Sequence, residues 1–261
     1  MTSMNAIILA AGRGSRLGDL TDGRPKGLVN LLGHPLIGWQ VAGLRAGGVA
    51  RTAIVRGYRG EMMEGYADHL FENPRWSETN MVMSLAAAAP WLRQGPCIIS
   101  YSDIFYPAEL VRSLCEVHAP LAISYDLGWW DLWTARFGDP LSDAETFRLG
   151  EAGRVTDIGR KPTARTEVEG QYMGLLRIEP EGWSWIEALL AELGPDADRL
   201  DMTGMLGRLI AAGHPVVGVP FSGVWGEVDS PTDLALYRDD PKVAAMGAAL
   251  GLAGYTDEPS N

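Results

Sequence analysis

Leu9-Ala10-Ala11-Gly12-Arg13-Gly14-Ser15-Arg16-Leu17-Gly18-Asp19-Leu20-Thr21-Asp22-Gly23-Arg24-Pro25-Lys26 is the stretch from which the rest of the chain is read. The apolar run Ala6, Ile7, Ile8 and Leu9 predicts a strand that feeds a loop carrying Gly12 and Gly14. Glycine tolerates the backbone angles that turn successive N–H groups toward one anion. Arg13, Arg16 and Lys26 place full positive charges around the same point. The loop reads as a phosphate cradle, and the phosphates expected are those of a nucleoside triphosphate.

Other glycine loops fit less well. A dinucleotide fingerprint needs G-x-G-x-x-G after the first strand, and the third position is Leu17. No G-x-x-x-x-G-K-[ST] run is present either. A solvated basic turn would explain a lone GxG. It explains less well glycines, Arg16 and Pro25-Lys26 occurring together after an N-terminal strand.

The stretch resembles the signature of nucleotidyltransferases of the sugar-phosphate (pyrophosphorylase) type, L-A-A-G-x-G-[ST]-R-L-x-x-L-T-x-x-x-P-K-x-L. Gly12, Gly14, Ser15, Arg16, Leu17, Leu20, Thr21, Pro25, Lys26 and Leu28 fall in register with it. The resemblance implies a Rossmann-like α/β fold, with a mixed, mostly parallel sheet and helices on both faces. It further implies that Leu9, Ala11, Gly12, Gly14 and Ser15 contact the nucleotide. Arg16 would grip the triphosphate, and Lys26 would bridge nucleotide and acceptor phosphates during transfer.

The composition suits one folded enzyme domain. The chain has 261 residues, 46% of them hydrophobic and 21% charged, enough for a single well-buried α/β domain. Its net charge of −11 disfavours nucleic acid, since a phosphate-tracking surface needs clustered Lys and Arg. Cys97 and Cys115 are the only cysteines; they read as free thiols without zinc spacing. The N-terminal residues lack a basic leader and no apolar run reaches transmembrane length. A cytoplasmic protein without membrane partners is expected.

Strands and helices alternate along the chain, which predicts a largely parallel sheet. Helices are expected over 35–46, 60–69, from Thr79 or Asn80 to Ala89, and from Pro107. Strands are expected over 52–55, 97–101 and 121–125. From 126 to 161 the alternation breaks into a tryptophan-rich, acidic segment, read as an insertion or lid over the sheet's carboxyl edge, where such sheets bind ligands. Met202, Met205, Leu206, Leu209 and Ile210 follow helical spacing, capped by Asp201 and stopped by Gly213. Residues 1–240 are taken as one domain, with a C-terminal helix and polar tail over 241–261.

Transfer of a nucleotidyl group calls for a metal, expected to be magnesium. Asp103 follows the strand over 97–101, and Asp229 follows Gly223-Val224-Trp225-Gly226-Glu227-Val228 before a helix near Pro231. Two aspartates from distant strand ends suit an ion that takes one or two carboxylates plus phosphate oxygens, and the family pattern puts its metal ligands after equivalent strands. Alone, each aspartate is equally well a turn residue or a helix cap. The reaction would be in-line attack of an acceptor oxygen on the α-phosphorus, governed by positioning and charge neutralisation.

On the acceptor side the chain departs from the sugar enzymes. Tyr125, Trp129, Trp130, Trp133, Asp139, Asp143 and Glu145 put aromatic faces beside carboxylates, the surroundings an ammonium group favours. Packing of the tryptophans onto the core is the competing reading for each. Segments around Thr79–Leu85, 139–145, 170–174 and 225–229 resemble small cytidylyltransferases acting on phosphocholine or aminoalkyl phosphonates. That likeness implies that Asn80 and Ser84 lie near the nucleotide, and that Glu169, Gln171 and Tyr172 lie near the acceptor. It also puts Lys161 where relatives carry a lysine for the acceptor phosphate; a solvated turn is the equal alternative.

The expectation is therefore a magnesium-dependent enzyme transferring CMP from CTP to 2-aminoethylphosphonate or phosphocholine. The alternatives are a sugar- or polyol-1-phosphate nucleotidyltransferase and a non-catalytic nucleotide-binding regulator. A homodimer is left open by the residues.

Overall fold

Runs of apolar residues long enough to be buried on both faces become the strands of one sheet. The structure is a computed structural model and describes residues 3–252, the side chains of Ser15 and Asp19 apart. The sheet strands are β1 (Asn5–Ala10), β2 (Arg51–Arg56), β3 (His69–Glu72), β4 (Cys97–Tyr101), β5 (Leu121–Asp126), β6 (Gln171–Ile178) and β7 (Val217–Phe221). They lie in the order β7-β5-β6-β4-β1-β2-β3. Only β6 runs against its neighbours; the other pairings are parallel. Ile7, Ile8, Ile54, Ile98 and Ile99 are fully buried, the near-continuous burial a sheet covered on both faces produces.

The helices are α1 (Leu36–Ala46), α2 (Met81–Ala87), α3 (Ala89–Leu92), α4 (Ala108–Glu116), α5 (Trp129–Phe137), α6 (Pro180–Leu193), α7 (Met202–Ala211), α8 (Pro231–Arg238) and α9 (Pro241–Ala249). Val82, Trp183 and Met205, from α2, α6 and α7, pack with Ile7 and Ile99 on one face. Ile37, Leu110 and Trp129, from α1, α4 and α5, pack with Ile8 and Ile98 on the other. A third cluster joins Leu17 of the glycine loop to Leu234 and Val243 of α8 and α9. The mixed, mostly parallel sheet with helices on both faces is as the sequence implied.

Two elements differ from expectation. Residues 60–69 do not form a helix: one 3-10 turn covers Gly60–Met63, and His69 already belongs to edge strand β3. The turn stops because Gly65 adopts φ +84°, and Asp68 is held by Thr52, whose N–H donates to it at 2.8 Å. The helix expected to reach Ala89 ends at Ala87, and Pro90 sits in the first turn of α3, where its missing N–H costs no hydrogen bond.

Within 126–161, α5 is followed by a hairpin of Phe147–Leu149 and Val155–Ile158. The Val155 N–H donates to the Val216 carbonyl at 2.8 Å, tying the hairpin to the start of β7. Cys97 is buried and Cys115 half-buried, both free thiols. Among the described residues no helix is long and apolar enough to cross a membrane. The tail from Thr256 lies outside the described residues.

Candidate active site

The glycine loop leaves β1 at the sheet's carboxyl edge and returns to it through Lys26. Gly14 has φ +77°, and a Cβ there would sit 2.6 Å from the Lys26 Cβ. Only glycine lets the loop backbone pass this close to the lysine stem. The Thr21 hydroxyl closes the loop by donating to the Gly14 and Gly18 carbonyls at 3.1 Å each.

Asp103 and Asp229 are brought together by a short ribbon. Ile104–Phe105 pairs antiparallel with Gly226–Glu227, and the Val228 N–H donates to the Asp103 carbonyl at 2.9 Å. Helix α8 begins with Ser230 as its cap, accepting from the Asp233 N–H at 3.1 Å. The Asp233 carboxylate returns to the Ser230 and Asp229 N–H groups, both at 2.9 Å. Capping therefore falls to Ser230 and Asp233, which frees the Asp229 side chain.

Lys26 Nζ lies 2.6 Å from Asp103 Oδ2 and 2.6 Å from Asp229 Oδ1. Arg16, on an exposed stem, reaches the same Asp229 oxygen at 2.8 Å. Glu227 completes an acidic trio: carboxylate oxygens of Asp103, Glu227 and Asp229 lie within 4.8 Å of one another. Burial opposes the Lys26 charge, yet Asp103, Asp229 and Glu227 raise its pKa above the ordinary lysine value. Burial also works against the Asp229 carboxylate, but Lys26, Arg16 and Arg136 hold its pKa below the usual value. Glu227 goes the other way: burial, then repulsion from Asp229 and Asp103, pushes it up to about 8.

The trio fits a hard divalent cation. Its donors are all carboxylate oxygens, the ligand type magnesium prefers, and the buried Asp103 Oδ1 has no hydrogen-bond partner. The upward shift favours the protonated form of Glu227 in the metal-free protein. Entry of a divalent cation near neutral pH is thus expected to release protons. Calorimetry in buffers of different ionisation enthalpy reads this, and binding without proton release contradicts it. The stability sign follows from the same shift. Glu227 stabilises the metal-free fold below its ordinary 4.5, and that contribution is lost as pH rises toward about 8. Asp229 contributes above its ordinary 3.8 and loses that contribution as pH falls.

Two clefts meet at this centre. One, about 220 Å³, is lined by Leu9, Ala11, Gly12, Gly14, Asn80 and Ser84 together with Lys26 and Asp103. The sequence-assigned nucleotide residues are thus neighbours, apart from Ser15, whose side chain lies outside the described residues. Trp76 also lines this cleft and went unread. Asn80 caps α2, its Oδ1 accepting from the Met81 N–H at 2.7 Å. Ser84 accepts from Asn73 Nδ2 at 3.0 Å.

The second cleft, about 280 Å³, shares Asn80 and Met81 with the first and holds Trp133, Gln171 and Tyr172. Five carboxylates line it, from Asp143, Glu145, Asp201, Glu227 and Asp229, against one cation, Arg16. Burial, then repulsion from Asp201, raises the pKa of Glu145.

The structure does not bring Trp129, Lys161 or Glu169 into this lining. Trp129 is buried in the hydrophobic core, because the inner face of α5 must be covered. The Lys161 ammonium is spent on the Ser142 carbonyl at the surface. Glu169 Oε2 accepts from the Leu149 N–H at 2.6 Å, holding the hairpin. Trp130 lies under the Arg165 guanidinium at 4.3 Å, and Tyr125 packs on Phe147 at 4.9 Å.

Comparison with known proteins agrees with this architecture. The MobA-like NTP transferase domain matches residues 6–146. The CTP:phosphoglutamine cytidylyltransferase of Campylobacter jejuni is 34% identical over 248 residues, spanning 88% of this chain and 98% of that protein. The 2-aminoethylphosphonate cytidylyltransferase of Lancefieldella rimae is 39% identical over 164 residues, spanning 60% of this chain and 61% of that protein. In fold, the inositol-1-phosphate CTP transferase of T. maritima superposes with a TM-score of 0.77 at 20% identity, covering 98% of this chain and 99% of that one. With a glycine loop returning its lysine onto an acidic trio between two clefts, the chain belongs to the MobA-like NTP transferase family and is a nucleotidyltransferase.

Proposed function

We propose that the chain is a magnesium-dependent cytidylyltransferase, moving CMP from CTP onto a small phosphonate or phosphate ester that bears a primary ammonium group. The observation that carries this reading is Lys26 held between Asp103 and Asp229, at 2.6 Å from each, where the two clefts meet. Preference for cytosine rests on the names of the two relatives.

In this reading the loop amides of Gly12 and Gly14 and the Arg16 guanidinium hold the β- and γ-phosphates, which leave as pyrophosphate. The Lys26 ammonium contacts the α-phosphate and the incoming acceptor oxygen, offsetting charge that gathers as the new P–O bond forms and the old one breaks. Asp103, Glu227 and Asp229 would hold the divalent cation, which when bound supplies further neutralisation of phosphate charge. The acceptor oxygen is already anionic, so no general base is assigned.

Acceptor chemistry follows from the second cleft. A quaternary ammonium favours a cage of aromatic faces, but Trp129 and Trp130 are engaged elsewhere. A primary ammonium instead donates charge-assisted hydrogen bonds, and Glu145, Asp143 and Asp201 offer acceptors. The carboxylate of phosphoglutamine would meet these same acids. 2-Aminoethylphosphonate therefore ranks ahead of phosphocholine and phosphoglutamine. Glu145→Gln is expected to lower kcat/KM for 2-aminoethylphosphonate by about 10–100-fold, the worth of a hydrogen bond to a charged group, with the KM for CTP unmoved. An unchanged acceptor KM would remove Glu145 from the ammonium site.

A further inference from the structure

Helix α5 carries a guanidinium to which the transfer reaction assigns no task. The Arg136 side chain is fully buried and divides its nitrogens among three carboxylates. Nη1 donates to Glu227 Oε2 at 3.0 Å, Nη2 to Asp229 Oδ2 at 3.2 Å, and Nε to Asp233 Oδ1 at 3.0 Å. The rings of Phe137 and Trp133 lie 4.8 Å and 5.2 Å from its guanidinium carbon.

A buried charge is a costly fastener, and pinning α5 to α8 needs only the contact with Asp233. The other two bonds have a different consequence. Arg136 takes Oδ2 of Asp229, while Lys26 takes Oδ1. It takes one oxygen of Glu227 in the same way. A planar fork of fixed donors thus sets the rotation of two acids of the trio at once. One turn earlier on α5, Trp133 lines the acceptor cleft, so the helix that shapes that cleft also orients these acids.

We propose that Arg136 is a positioning residue: it fixes Glu227 and Asp229 in the orientation that receives the divalent cation. The inference rests on the metal reading given under the proposed function. Orientation and charge make opposite forecasts. Removing a positive charge beside three acids should strengthen cation binding if charge alone matters, and weaken it if the fork is what matters.

The test is Mn²⁺ binding to the metal-free protein, followed by electron paramagnetic resonance, in wild type, Arg136→Gln and Arg136→Lys. Circular dichroism and a thermal melt establish that each is folded. Both variants are expected to bind Mn²⁺ about 10–100-fold more weakly, the usual cost of losing a group that orients a metal ligand. Arg136→Lys falls with the other because an ammonium keeps the charge but loses the fork. In turnover, the magnesium half-saturation rises while the KM for CTP stays put. Wild-type Mn²⁺ affinity in Arg136→Lys, or tighter binding by Arg136→Gln, would overturn the proposal. If Arg136→Gln does not fold, the lysine variant decides alone. Failure of the wild type to bind Mn²⁺ would instead overturn the metal reading, and this inference with it.

Discussion

Lys26→Ala is expected to lower the rate of pyrophosphate release by about 10²–10³-fold, the scale of losing one preorganised group aimed at developing charge. The argument is geometric. Among the described residues Lys26 is the only cation that pairs with both Asp103 and Asp229, and it lines the cleft assigned above to the nucleotide. Its three acidic neighbours keep it protonated despite burial, so in the proposed reaction it would meet the phosphates as a full charge. The loss should fall on kcat, because in the proposed reaction Arg16 and the loop amides would still hold the triphosphate. Steady-state kinetics on folded variant protein reads it. Turnover near the wild-type rate would take Lys26 out of the transfer step.

Asp229→Asn is the second large effect, and it differs in kind. Asp229 is the anion on which Lys26, Arg16 and Arg136 all converge, at 2.6, 2.8 and 3.2 Å. An amide keeps the shape and discards the charge. Losing a direct ligand should cost more than the 10–100-fold typical of losing a ligand's hydrogen-bond partner, so activity is expected to fall at least about 100-fold. Raised magnesium should recover part of that loss, whereas it should recover none in Lys26→Ala. A magnesium titration of both variants separates the roles. Equal, magnesium-independent losses would contradict the assignment of Asp229 to the cation.

Local signals carried the sequence reading furthest where one segment does one job. The strand over Ala6–Leu9, its glycine loop and Lys26 are contiguous, and the backbone alone brings them together. Asp103 and Asp229 were legible because each follows a strand. Glu227 was missed although a signal existed: residues two apart in an extended segment share a face, so an acid two before Asp229 points the same way. Arg136 gave no such signal, since its partners lie more than ninety residues away in sequence.

The tryptophans were legible only in part, for a related reason. Trp129, Trp133 and Phe137 sit at helical spacing, which predicts a shared face but not what covers it. The fold puts Trp129 into the core and leaves Trp133 at the cleft. The helix expected over 60–69 failed because Gly65 takes a positive φ and because Asp68 and His69 are drawn to Thr52 and Ala53 of β2, neither of which local helical spacing reveals.

The most direct test of the account is pyrophosphate release by the purified chain with magnesium. CTP, UTP, ATP, GTP and dTTP are each crossed with 2-aminoethylphosphonate, phosphocholine and glucose 1-phosphate. The account predicts release with CTP and 2-aminoethylphosphonate, weaker release with phosphocholine, and none with the sugar phosphate. Release with glucose 1-phosphate and none with either amine would contradict it, leaving the fold and the acidic trio in place but removing the ammonium cleft.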